Sequence, residues 1–64
     1  MKDPEKIIKD HYYAAKRKFQ RLCNIRDSTT NKAKKAIWNT AAMEVLEVKT
    51  ELLGLYLEIY EKEI

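Results

Sequence analysis

Glycine, proline, cysteine and histidine occur once each in this chain of 64 residues, and each scarcity excludes a class of structure. A globular chain of this length carries roughly four glycines and three prolines. With only Gly54 and Pro4, the sequence lacks the turn residues that β-hairpins and long loops require. A lone Cys23 excludes an intrachain disulfide and a cysteine-based zinc cluster. With His11 the single histidine, a transition-metal site would have to draw ligands from two chains. Cys23 therefore reads as a small, half-buried apolar residue in a reducing compartment. No apolar run approaches the ~20 residues needed to cross a bilayer. No signal-peptide core follows Met1 to Glu5. The expectation is a soluble, cytoplasmic protein that does not associate with membranes.

What the chain does have is charge and apolar surface in helical proportion, 36% charged and 45% hydrophobic residues. That balance belongs to an amphipathic all-α protein. Sixty-four residues make at most one domain, near the lower limit at which one core stabilises itself.

Asp3-Pro4-Glu5 reads as a helix start. Asp3 can cap free backbone N–H groups, Pro4 suits the first helical position, and Glu5 complements the positive end of the dipole. Ile8, Tyr12, Ala15, Phe19 and Leu22 then recur at heptad-like spacing, flanked by Ile7, Ala14, Cys23 and Ile25. The pattern fades at Arg26. Asp27-Ser28-Thr29-Thr30-Asn31 follows, five residues whose side chains compete with helix for backbone hydrogen bonds. Ser28 or Thr29 is the expected cap of a second helix. The sequence thus predicts helix over about 4–26, a polar turn at 27–31 and helix over about 31–62, an antiparallel two-helix hairpin.

The second helix is apolar on two rows. Trp38, Ala41, Val45, Val48, Leu52, Leu55 and Ile59 form one, and Ala42, Leu46, Leu53, Leu57, Tyr60 and Ile64 the other. If the turn centres on Thr29, facing residues have numbers that sum to about 58. Phe19 is then expected near Trp38 and Ala42, Tyr12 near Val45 and Leu46, and Pro4 near Gly54. Residues 55–64 would overhang with no intrachain partner, which predicts self-association into a helical bundle, a dimer first. The expected oligomer interface is Leu52, Leu55, Tyr56, Leu57, Ile59, Tyr60 and Ile64, with the tyrosines as aromatic anchors. Gly54 is read as a tolerated helix glycine allowing close approach, the rival being a C-cap that turns residues 55–64 back over the open end.

Charge divides along the chain: +7 through Lys35 and −4 from Ala36 onward. Lys16, Arg17, Lys18, Arg21, Arg26, Lys32, Lys34 and Lys35 gather near the turn. Such a patch reads first as a solvated face answered by the acidic half of a neighbouring subunit. The alternative is nucleic acid or another acidic partner, tracked by those cations with Tyr12, Tyr13 or Trp38 stacking on bases. Glu44, Glu47, Glu51 and Glu58 share an outward face, suited to solubility. No Glu-x-x-His pair, Gly-rich phosphate loop or nucleophile constellation occurs. The sequence therefore predicts no catalysis, no cofactor and no metal.

The function expected is a small helical protein-interaction module. Its size suits a regulator or inhibitor of a host or partner protein, of the kind phages and mobile elements use. The architecture resembles that of the ROP family of plasmid copy-number regulators, two-helix chains that dimerise and bind RNA. That likeness lies in architecture alone and assigns no residue a role.

Overall fold

A computed structural model describes residues 3–64; Met1 and Lys2 lie outside the described residues. Two helices, α1 (Pro4–Ser28) and α2 (Lys32–Tyr60), pack antiparallel as a hairpin. The Cα trace measures 46 × 21 × 14 Å, a flattened rod.

The start of α1 follows the sequence reading. Asp3 is extended, and its carboxylate accepts from the Glu5 backbone N–H at 3.0 Å, with Pro4 opening the helix. The turn is shorter than the polar run implied. Asp27 and Ser28 stay helical, and Thr29 is the C-cap, its hydroxyl donating to the Ile25 carbonyl at 2.7 Å. The cap of α2 is therefore Asn31, not Ser28 or Thr29; its side-chain oxygen accepts from the Lys34 backbone N–H at 3.0 Å. Five residues able to cap compete here, and the one standing three before a free N–H wins.

The α1 seam is the one expected. Leu22 is buried, and Ile8, Tyr12, Ala15 and Phe19 are half-buried along the same stripe. On α2 the packed line runs between the two apolar rows. It comprises Trp38, Ala42, Val45 and Leu46, Lys49, Leu52 and Leu53, Tyr56 and Tyr60. Among the described residues only Leu22, Ala42 and Tyr56 are buried outright.

The register departs from the expected one. Arg26 bonds Asn39 at 2.9 Å, the Lys49 ammonium lies 5.8 Å from the centroid of the Phe19 ring, and Glu5 meets Tyr56 at 2.7 Å. Each of these long side chains pairs further along α2 than a sum near 58 implies, and the Lys49 stem reaches back to the Phe19 ring. The reason is the lean of helical side chains toward their own N-terminus. Here α1 side chains lean away from the turn and α2 side chains toward it, so tips that touch come from residues with a larger sum.

Two further expectations are corrected at the open end. Gly54 lies inside α2, exposed, with nothing within 4 Å of where a Cβ would stand. It marks neither a close approach nor a helix end. The helix ends instead at Glu61, in the left-handed conformation (φ 54, ψ 33), whose N–H donates to the Leu57 carbonyl at 2.8 Å. This turns the last residues back, and the tip is not the bare overhang expected. Tyr56 is fully enclosed by its own chain.

Candidate interaction site

Tyr56 is enclosed by contacts that tie both termini of the hairpin together. Its hydroxyl donates to Glu5 Oε1 at 2.7 Å, and Lys62 Nζ reaches the same oxygen at 3.0 Å. Lys9 Nζ stands 3.9 Å from that oxygen and 5.6 Å from the Tyr56 ring centroid. The Tyr60 ring packs 4.7 Å from that of Tyr56. The hydrogen bond from Tyr56, followed by that from Lys62, holds the Glu5 carboxyl below its ordinary pKa, and the Lys62 ammonium is raised in turn by Glu5. This is a structural clamp, and Tyr56 leaves the expected interface set: its surface is spent inside the chain. Glu5 had a signal only as a dipole partner; a register allowing for side-chain lean would have placed it opposite Tyr56.

The other expected interface residues divide. Leu52, Tyr60 and Ile64 are half-buried, and Ile64 lines a hollow with Tyr12, Leu53, Leu57 and Glu63. Leu55, Leu57 and Ile59 keep 45%, 48% and 53% of their surface exposed. They are not alone. Ile37 (68%), Val48 (49%) and Met43 stand exposed on α2, and Ile7 and Tyr13 on α1. The unpartnered apolar surface therefore runs along the whole rod instead of collecting at its tip.

Part of it borders a groove. An open furrow of about 490 Å³ runs between the helices, with His11, Ala14, Ala15, Lys18 and Leu22 on one bank and Ala41, Glu44, Val45 and Val48 on the other. Ile37, Ala41, Val48, Leu55 and Ile59 fall on this same flank of α2 at intervals of four and seven. Small alanines on both banks open the furrow, and a large side chain from outside would fill it.

The basic residues lie where the sequence put them. Lys16, Arg17, Lys18 and Arg21 on α1 and Lys32, Lys34 and Lys35 on α2 are all exposed. None of them is in an ion pair among the described residues. Arg26 is half-buried and held by Asp27 at 3.1 Å and by Asn39, so it belongs to the turn more than to a free patch. Arg17, Lys18, Arg21 and Ala14 border a smaller hollow of about 260 Å³. Cys23 is half-buried, as expected. Among the described residues no His, Cys, Asp or Glu cluster of three or more could hold a metal ion. No described helix is long and apolar enough to cross a membrane.

No protein-family model, curated protein or solved structure matches the chain.

Proposed function

We propose that this hairpin is a non-catalytic interaction module, a small regulator or inhibitor that acts by laying one helical face on a protein partner. One observation carries the reading: among the described residues eight large apolar side chains are exposed while three residues are buried. Isolated exposed apolar residues are ordinary, but a row of them at helical spacing beside an alanine-lined furrow matches the anchors of helix-in-groove recognition. The residues that carry docking in this reading are Leu55 and Ile59, with Val48 and Ile37 continuing the row; Leu57, two residues from each, is exposed on the opposite flank of α2 and lies outside it. Leu52 supports them from the half-buried margin, while Tyr60 packs on Tyr56 and Ile64 lines the hollow beside Leu57.

The test is affinity capture from the source cell with the native chain and with Leu55→Glu/Ile59→Glu, circular dichroism checking that both remain helical. A protein held in stoichiometric amount by the native chain and lost with the variant is the expected result. A captured set that is the same for both contradicts the proposal.

A second reading is supported by the seven exposed cations near the turn that lack ion-pair partners among the described residues. It makes the module a binder of nucleic acid through Lys16, Arg17, Arg21, Lys32, Lys34 and Lys35. Affinity would then fall steeply with salt and with charge removal at Arg17, Arg21 and Lys34, and would be indifferent to Leu55.

A further inference from the structure

Beside the furrow the exposed apolar row runs from Ile37 near the turn to Ile59 near the open end, while the charge along the rod changes sign. Residues 16–44 make up the turn half and carry eight basic and two acidic residues, a net of +6. Since the whole chain is +3, the open half is −3. The hairpin is therefore an electric dipole along its 46 Å length, with an apolar furrow running parallel to that dipole.

We infer that the occupant of the furrow is a second copy of this chain, docked face to face with its turn end over the open end of the first. This rests on the docking reading above and names the partner. Three observations favour that occupant. A rectangle of 46 × 21 Å exceeds the roughly 800 Å² per partner that a standard stable interface uses, so the face is large enough. An isologous pair brings Ile37, Val48, Leu55 and Ile59 of each copy onto the same face of the other, burying both exposed rows at once. The opposed orientation lays the +6 half of each copy on the −3 half of its partner. Docking with the turns together would instead stack two +6 ends. Charge of this kind fixes orientation more than affinity, because screening confines it to about 8–10 Å at cellular salt. Lys18 and Glu44, which line the furrow, lie within that reach at a face-to-face contact.

The arrangement differs from a tip-to-tip dimer. It uses the full length of the rod, along which Ile37, Val48, Leu55 and Ile59 stand, and leaves the Glu5–Tyr56–Lys62 clamp inside each copy.

A spin label on Thr30→Cys, in a Cys23→Ser background, tests it by pulsed dipolar spectroscopy, with the mass of the unlabelled native chain measured alongside. Thr30 is exposed in the turn, and Ser is a near-isostere at the half-buried Cys23. The expected result is a dimer mass with a label separation approaching the 46 Å length of the rod. A separation within the 21 Å width means that the turns lie together and overturns the orientation. A native chain that stays monomeric overturns the inference entirely; if that monomer still captures a protein through Leu55 and Ile59, the docking reading survives without it.

Discussion

The two helices use their apolar residues differently. In α1 the large ones fall on the seam, and only Ile7 and Tyr13 stay exposed. In α2 the seam takes Trp38, Leu46, Leu52, Leu53, Tyr56 and Tyr60, yet Ile37, Met43, Val48, Leu55, Leu57 and Ile59 remain exposed. A partner as narrow as one helix covers only a stripe, and α2 is apolar over more than a stripe. Residues packed on the seam hold the hairpin. Residues beside it do not, and they stay exposed on the hairpin.

That contrast is breakable by paired truncations, read by denaturation at low concentration. Tyr56→Ala should be the most damaging, at about 3 kcal/mol or more, since it empties a fully enclosed site and strips Glu5 of its donor. In a hairpin with three buried residues such a loss should leave little folded protein. Leu55→Ala, one residue away on the exposed row, should cost the single chain well under about 1 kcal/mol. Similar costs for the two would erase the distinction between seam and outward row.

A smaller effect sharpens the seam's own end. Glu5 has its pKa lowered in the folded chain, so its ionised form stabilises the fold at pH above the ordinary glutamate value of 4.5. That contribution should be lost as pH falls through the lower folded value. Lys62, raised above its ordinary 10.5, gives the mirror case: its share is complete below that pH and is lost as pH rises through the folded value. Glu5→Gln should flatten the acid limb of a stability-against-pH curve measured by urea denaturation. An unchanged acid limb would show that the clamp contributes nothing in solution.

Much of the fold was legible in the sequence. The Asp3-Pro4-Glu5 start, the α1 seam and the hairpin itself follow from spacing and capping chemistry. The α2 seam was not, because two adjacent apolar rows offer several packing angles and only the partner helix selects one. The long-side-chain pairs were displaced from the expected ones because helical side chains end well away from their own Cα atoms. The helix end at Glu61 carried no glycine to announce it, while Gly54, which does look like a stop, sits in open helix. For the candidate site, Leu55, Leu57 and Ile59 were legible as surplus apolar surface. Ile37 and Val48 were visible as apolar positions, but only the packed geometry shows them left outside. Tyr56 was misplaced because its partner, Glu5, is 51 positions away in sequence.

Sedimentation equilibrium of the native chain and of Leu55→Glu/Ile59→Glu, over a wide concentration range, addresses the surplus on α2 most directly. Twice the 7.6 kDa chain mass is expected for the native protein, and the single mass for a variant that stays helical. A native chain that sediments as one well-folded copy at every concentration would contradict it.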